Sequence, residues 1–434
     1  MENKKINARA LALDVLIRCE SGGYSNIALD TVIKRNALSG ADRGFLTVLV
    51  YGVIERRITL DYIIASLSSI PNSKIERDTR NLLRMGLYQL IYMEKVPPFA
   101  AINETVVLAN KRSKGFVNAI LRSYMREGKS IAFPSENDKI KHLSVAYSVS
   151  EGLAEALLGA YSFDECKKML EAFGKSTPIT LRVNNLKADR EELLSELEGA
   201  SLTRFSPDGI ILESAATSEL DALKDGRVTV QDEASQICVR ALGATSGDTV
   251  LDVCACPGSK SFGAAMTMEN KGTILAFDIH ENKLSLVKSG AERLGISIIS
   301  TKAQDARAPL DELFGKADKI ICDVPCSGFG IIGKKPEIRY KDVKGCAALP
   351  KIQLDILENV SNYLKVGGTL VYSTCTVLPD ENENNIRAFL DKHGNFELVP
   401  FTVGELNAEC GMITLLPHVH NTDGFFIAKL VRRS

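Results

Sequence analysis

Thr249-Val250-Leu251-Asp252-Val253-Cys254-Ala255-Cys256-Pro257-Gly258-Ser259-Lys260 reads as a short apolar run ending in an acid, a turn of small residues, and the start of a helix. A strand that hands over to a helix through so tight a loop is the first half of a βαβ unit, and the pattern recurs downstream. Apolar runs at Thr273 to Asp278, Ser297 to Thr301, Lys319 to Asp323 and Thr369 to Ser373 alternate with helical patterns at Ser261 to Met268, Glu281 to Leu294, Ile352 to Leu364 and Glu381 to Lys392. Gly424 to Val431 closes the series as a further strand. The alternation predicts an α/β fold with a doubly wound, mostly parallel, Rossmann-like sheet over residues 236–434.

Upstream the pattern changes twice. Residues 140–235 mix helical patterns around Glu151 to Tyr161 and Asp164 to Phe173 with short strand candidates at Ile179 to Val183, Ser201 to Phe205, Gly209 to Glu213 and Arg227 to Val230, which predicts a small α+β domain. Residues 1–135 space apolar residues three and four apart, as in Ala8 to Cys19, Asp42 to Ile54, Thr59 to Leu67, Thr79 to Met93 and Ile102 to Ala109, and predict an all-helical domain. Gly128 to Asp138 reads as the linker between these two. Three domains suit a chain of 434 residues at about 150 residues each.

With 45% hydrophobic and 25% charged residues, the composition is that of a folded globular protein and excludes disordered and collagen-like chains. No apolar run reaches the ~18 residues of a membrane helix, and Asp14 and Arg18 interrupt the N-terminal one, so a cytosolic protein with reduced cysteines is expected. The net charge of -1 is unevenly spread: residues 1–140 hold 21 Lys+Arg against 14 Asp+Glu, and the remainder 32 against 40. A basic N-terminal part suggests a polyanionic partner. Candidate phosphate-binding groups there are Arg56-Arg57, Arg77 with Arg80 and Arg84, which share one helix face, and Lys111-Arg112 with Lys114; Lys334, Lys335 and Arg339 form a further cluster downstream.

Doubly wound sheets bind ligands beyond the carboxyl ends of their strands. The loop from Cys254 to Lys260, comprising Cys254, Ala255, Cys256, Pro257, Gly258, Ser259 and Lys260, is small enough to let backbone amides approach a ligand at a helix N-terminus, yet it has neither P-loop spacing nor a G-x-G-x-x-G fingerprint. Asp252, Asp278, Asp305 and Asp323 stand at or just after four successive strand ends. That acidity would repel dinucleotide phosphates and welcome a cationic, phosphate-free ligand, a description that S-adenosylmethionine meets. Two more strand ends carry thiols, in Asp323-Val324-Pro325-Cys326-Ser327-Gly328 and Ser373-Thr374-Cys375-Thr376, where a cysteine can act as a nucleophile. Neither Cys254 with Cys256 nor Cys322 with Cys326 has zinc-ligand spacing, and His418 with His420 reads as a loop, so no metal is expected.

Gln231-Asp232-Glu233-Ala234-Ser235, the loop from Cys254 to Lys260, Asp323 to Gly328, Lys335-Pro336-Glu337-Ile338, Leu364 to Gly368, Tyr372 to Thr376 and Asp423-Gly424-Phe425-Phe426 resemble, in this order, the motifs of the RNA cytosine-C5 methyltransferase family. Pro97 to Glu104 and Gly115 to Arg122 resemble the NusB-like helical domain that is fused to this core in the branch acting on small-subunit ribosomal RNA. The family loop usually reads C-A-A-P-G-G-K-T, so Cys256, Ser259 and Ser261 depart from it, as does Tyr340 where tryptophan is usual.

The resemblance implies a methyltransferase that takes S-adenosylmethionine as cofactor, uses the Cys254 to Lys260 loop with Asp278, Asp305 and Asp323 to bind it, and acts on ribosomal RNA without an obligate protein partner. It assigns to Cys375 the attack on C6 of cytosine and to Cys326 a part in releasing the enzyme, with Asp323 against the base near N3. The attack has a chemical reason: C5 is a poor nucleophile until a thiolate at C6 turns the ring into an enamine. The target base must be unstacked to reach such a pocket. A non-catalytic RNA-binding or assembly factor on the same scaffold would leave both cysteine motifs without a reason, and a nicotinamide-dependent oxidoreductase would need the missing glycine fingerprint.

Overall fold

Asn7 accepts hydrogen bonds from the backbone N–H groups of Arg9 (3.0 Å) and Ala10 (3.2 Å) and so caps helix Ala8–Glu20, the start of the helical part. The computed structural model describes residues 7–21, 25–36, 38–175, 178–213 and 217–434, which divide by contact into two units: Met1–Leu170 with Lys335–Asp342, and Glu171–Lys334 with Val343–Ser434. No helix of the described residues is long and apolar enough to cross a membrane.

In the first unit, helices Ala8–Glu20, Ser25–Arg35, Gly40–Glu55, Arg57–Leu67, Arg77–Tyr92, Pro98–Val107 and Lys114–Glu127 enclose one core that includes Val15, Leu46, Leu49, Val53, Leu60, Ile64, Leu83 and Leu121. The expected helical periodicity is there, but Arg84 does not share an exposed face with Arg77 and Arg80. It is buried, its guanidinium hydrogen-bonded to Asp61 (2.7 and 2.6 Å) and to Glu20. Burying a charge costs several kcal/mol unless it is paired, and two carboxylates from neighbouring helices make the pairing here.

The short stretch Lys335–Asp342, remote in sequence, belongs to this unit. The Tyr340 hydroxyl lies 2.6 Å from Ile54 O, accepts from the backbone N–H of Arg57 at 3.1 Å and meets Ser148 Oγ at 2.8 Å, while the Arg57 guanidinium stacks 3.8 Å from its ring. Ser25 donates to Glu337 (3.0 Å), and Arg339, buried, donates to Tyr147 O (3.1 Å) and faces Glu55 at 3.5 Å.

In the second unit, strands β1 (Ile179–Val183), β2 (Ala200–Leu202), β3 (Gly209–Leu212) and β4 (Val228–Val230) form an antiparallel sheet in the order β2-β3-β1-β4. Helix Glu233–Leu242 follows, a feature missed in the sequence, although Asp232 caps it through Ala234 N–H (2.9 Å) and Gly243, at φ 65°, ends it.

The large sheet comprises β5 (Thr249–Asp252), β6 (Thr273–Asp278), β7 (Ile299–Ala303), β8 (Ala317–Asp323), β9 (Leu364–Thr374) and, from the C-terminal region, β10 (Phe396–Leu398) and β14 (Phe425–Arg432). Two short strands, β11 (Phe401–Val403) and β12 (Leu406–Ala408), pair as a hairpin, and β13 (Met412–Leu415) lies antiparallel on β14. The order is β10-β14-β9-β8-β5-β6-β7, with β5 to β9 parallel to one another and β14 antiparallel to β9. The third strand starts two residues later than the periodicity suggests, since Ser297 N–H is drawn to Asn270 Oδ1 at 3.0 Å. His418 and His420 lie on the short helix Pro417–His420 and not in a loop. The chain leaves β5 toward β6 and β7 and returns to β8 on the other side, so the gap between β5 and β8 is the switch point at which such sheets open a ligand crevice.

Tyr340→Phe removes one hydroxyl and leaves Arg57 N–H without that partner. The expected cost is about 1–3 kcal/mol of unfolding free energy, read from a urea melt, and a melt identical to that of the parent would refute the anchoring of this segment.

Candidate active site

At the switch point, β5 ends at Asp252 opposite Ile321 of β8, and Asp323 lies two residues further along β8, opposite Ser373 of β9. Asp252 is 1% exposed; its Oδ2 accepts from Ser261 Oγ at 2.6 Å, and its Oδ1 has no hydrogen-bond partner among the described residues. Burial, reinforced by Asp323, pushes its carboxyl up to about 7. Asp323 is held by Lys260 Nζ (2.6 Å) and by Ser373 Oγ (2.7 Å). Lys260 is almost wholly buried; burial alone would depress its ammonium, and the attraction of Asp323 reverses that and holds it above its ordinary value.

The loop after β5 is closed on itself. Ala255 N–H donates to Phe277 O (2.7 Å) and Gly258 N–H to Ala255 O (2.6 Å), so these two amides are spent internally and do not face a ligand as the sequence suggests. Gly258 has φ 111°, and a Cβ there would meet the Phe262 ring at 2.5 Å, which is why the helix Ser259–Thr267 can start so abruptly. Of this stretch, Val253, Cys254 and Cys256 line the cleft.

That cleft, of about 1070 Å³ and partly open to solvent, brings together Cys254, Cys256, Asp278, Asp305, Asp323, Cys326 and Cys375 from separate stretches of chain. Ala255, Pro257, Gly258, Ser259 and Lys260 stand outside its lining, Lys260 acting through Asp323. Ile279, His280, Lys283, Gln304, Ala306, Arg307, Val324, Pro325, Ile352 and Ile356 complete the wall; apart from Val324 and Pro325, which lie in the Cys326 motif, sequence reasoning misses them because nothing in an isolated isoleucine or glutamine marks a lining residue. Asp305 is bound by Arg307 (2.7 Å), which lowers its carboxyl, whereas Asp278 accepts from His280 N–H (2.8 Å) and joins no ion pair among the described residues. Burial and the nearby Asp278 push the Cys256 thiol up to about 12.

The two motif cysteines meet: Cys326 Sγ and Cys375 Sγ are 3.2 Å apart. The loops that carry them are tied together, Val324 N–H donating to Ser373 O (3.2 Å), Ser327 Oγ to Thr376 Oγ1 (2.9 Å) and Gly330 N–H to Cys375 O (2.9 Å). At Gly330 a Cβ would lie 1.9 Å from Gly424 O and 2.9 Å from Cys375 O, so only glycine allows this approach. The hydrogen bond with Cys375, burial and the charges of Cys375 and Glu381 together push the Cys326 thiol well up. Two sulfurs in contact, in a cleft that also holds carboxylates and apolar side chains, have the geometry to add a thiolate to an electrophilic ring atom and later reverse that addition.

The basic candidates divide. Arg84 and Arg339 are buried beside carboxylates, and Lys334 spans Asp232 (2.6 Å) and Asp423 (2.8 Å). Arg56 lies 3.2 Å from Glu55, Arg57 stacks on Tyr340, and Arg80 is half-buried near Glu20. Lys335 is exposed, as are Lys111, Arg112 and Lys114 at the start of helix Lys114–Glu127 and Arg122 two turns further along it.

Residues 239–431 match the family described as 16S rRNA methyltransferase RsmB/F, residues 6–126 match the NusB family, and residues 151–219 match a ferredoxin-like domain of RsmF/B-like methyltransferases. The chain is 40% identical to a probable ribosomal RNA small subunit methyltransferase B of Bacillus subtilis, over 99% of this chain and 100% of that protein. It is 33% identical to a ribosomal RNA small subunit methyltransferase B of Escherichia coli, over 99% and 100%. Among solved structures, the crystal structure of PH0851 is similar with a TM-score of 0.79, at 27% identity, covering 99% of each chain.

Asp252→Asn should change the pH dependence of stability. A carboxyl raised to about 7 in the folded protein contributes stability that is complete below the pKa of the unfolded chain and lost as pH rises through about 7. The melting temperature of the variant relative to the parent should therefore climb between pH 5 and pH 8, and a constant difference would sink the assignment.

Proposed function

The chain belongs to the RsmB/F family of 16S rRNA methyltransferases, and from that premise we propose that it transfers a methyl group from S-adenosylmethionine to C5 of a cytosine in small-subunit ribosomal RNA, through a covalent adduct between Cys375 and C6. The observation that carries this reading is the pair of sulfurs 3.2 Å apart in a cleft that also holds Asp278, Asp305 and Asp323.

The cleft fits a sulfonium cofactor with a ribose and an adenine. Asp278, in no ion pair among the described residues, is the acceptor left for ribose hydroxyls, and Val324, Pro325, Ile352 and Ile356 supply an apolar surface for a flat ring. When bound, S-adenosylmethionine would supply the methyl group as an electrophile.

The chain's own residues do the rest. Cys375, as thiolate, forms the bond to C6, and the ring electrons move to C5 as an enamine. Asp323, fixed by Lys260 and Ser373, faces the base edge beside N3, where its carboxylate can accept from the exocyclic N4 amino group, and a proton carried on Asp323 would be needed to donate to N3 itself. Once Cys375 is a thioether, the largest cause of the elevated Cys326 thiol is gone, and Cys326 can lose its proton toward the open cleft. Cys326 then takes the proton from methylated C5 as the C6–S bond breaks, and Cys375 leaves as thiolate. The exposed Lys111, Arg112, Lys114 and Arg122 give the helical unit a basic strip for RNA phosphates.

Cys375→Ala should abolish turnover and leave no covalent protein–RNA species, whereas Cys326→Ala should retain adduct formation and accumulate a slow-migrating band on a denaturing gel. The reverse pattern would exchange the two roles, and absence of any adduct in both variants, with melts and cofactor affinity intact, would refute covalent catalysis.

Replacing Lys111, Arg112 and Lys114 together by glutamine should weaken RNA binding and reduce the slope of log K against log[salt] by about 0.7–0.9 for each phosphate no longer neutralised, with cofactor affinity untouched. An unchanged slope in a filter-binding titration would place RNA elsewhere.

A further inference from the structure

Glu381 lies in the turn Pro379–Glu381, beyond the strand that leads to Cys375, and is 3% exposed. Its Oε2 accepts from the backbone N–H of Ser327 at 2.9 Å and from Gln353 Nε2 at 2.8 Å, and the same Gln353 amide donates to Pro325 O at 3.0 Å. Pro325 O and Ser327 N–H belong to the two peptide groups that flank Cys326. Both are thus gripped from one side by a carboxylate and an amide, which holds the backbone on either side of Cys326.

The grip is itself braced. Tyr372 OH, buried at the heart of the sheet, donates to Glu381 O at 2.7 Å, and Asn385 Nδ2 donates to Gln353 Oε1 at 3.0 Å, which orients the amide with its nitrogen toward the loop. A buried carboxylate is an expensive choice where a neutral acceptor would satisfy the same two donors. It brings something a neutral group lacks: negative charge beside Cys326, which helps keep that thiol protonated while Cys375 is the nucleophile.

We infer that Glu381 is a positioning residue for Cys326, holding its loop so that the Cys326 sulfur stays against Cys375 for release of the RNA adduct. The inference rests on the release role proposed for Cys326, and the test separates the two.

With the full-length protein, S-adenosylmethionine and unmodified small-subunit ribosomal RNA, Glu381→Ala should lower kcat by about tenfold or more, the scale set by loss of a hydrogen bond to a charged group, while the KM for RNA and the cofactor affinity stay within about twofold. Adduct should accumulate as in Cys326→Ala, and the double variant Glu381→Ala/Cys326→Ala should be no slower than Cys326→Ala alone, because removing the positioned group abolishes the benefit of positioning it. Glu381→Gln keeps an acceptor oxygen in place and should restore turnover to within about threefold of the parent, with the pH profile of adduct release moved to lower pH as the neighbouring charge is lost. The inference is overturned if Glu381→Ala turns over normally, if it slows adduct formation and release alike, if the double variant is additively worse, or if Glu381→Gln fails to rescue. If Cys326→Ala accumulates no adduct while the double variant stays non-additive in kcat, the release role falls and the positioning of Cys326 by Glu381 stands.

Discussion

The ion pair between Lys260 Nζ and Asp323 Oδ2, 2.6 Å long and nearly dry on the lysine side, joins the helix that follows β5 to the end of β8. These are the two edges of the switch-point gap. A buried ammonium without its carboxylate would cost on the order of 3–5 kcal/mol, so the pair fixes the width of the gap as well as its charge. Ser373 Oγ, on the neighbouring β9, adds a third point of attachment to the same carboxylate at 2.7 Å. Asp323 is thereby held by residues from two further stretches of chain, and everything proposed for the cleft, from the ribose acceptor to the base edge, is measured from that fixed carboxylate.

The thiol pair depends on this frame. Cys326 follows Asp323 by three residues and Cys375 follows Ser373 by two, so the hydrogen bond between Ser373 and Asp323 sets the stagger of the two loops before the sulfurs are reached. The close approach of Gly330 to Gly424 and Cys375 then pins the outer side, and Ser327 with Thr376 the inner. Sulfurs placed in this way lie within hydrogen-bond reach of each other, so each forms part of the other's environment. Pre-organisation of this kind moves the cost of orienting the reacting groups from the reaction to folding.

Much of this was legible in the sequence. The strands Ile179–Val183 and Thr273–Asp278 have the limits that their apolar runs suggest, because a buried strand in a sheet declares itself by composition and by the turn residues at its ends. The acids and cysteines at the strand ends could be placed at one edge by topology alone. Pairing was not legible. Periodicity puts Arg84 on a helix face but says nothing of Glu20 and Asp61, which come from other helices and turn that face inward. Glu381 and Gln353 look like surface residues of a polar stretch until the fold sets them around Pro325 and Ser327. Nor does the compactness of the Cys254 to Lys260 loop show that the amides of Ala255 and Gly258 are used within the loop and its neighbouring strand.

Division of labour along this chain does not follow division of sequence. Residues 335–342 leave the Cys326 loop and take their hydrogen bonds from the helical unit, with Tyr340 on Ile54, Arg57 and Ser148, Glu337 on Ser25 and Arg339 beside Glu55. Lys334, one residue earlier, is bound to Asp232 and Asp423 of the other unit. Removing the helical residues wholesale would strip Arg339 and the Tyr340 hydroxyl of the partners that residues 335–342 have within the helical unit, so any loss of activity would confound RNA binding with the unfolding of that segment. Charge substitutions at exposed positions such as Lys111 and Arg112 leave those anchors untouched, and they isolate the electrostatic contribution to RNA binding because exposed lysines and arginines can be neutralised without opening the core.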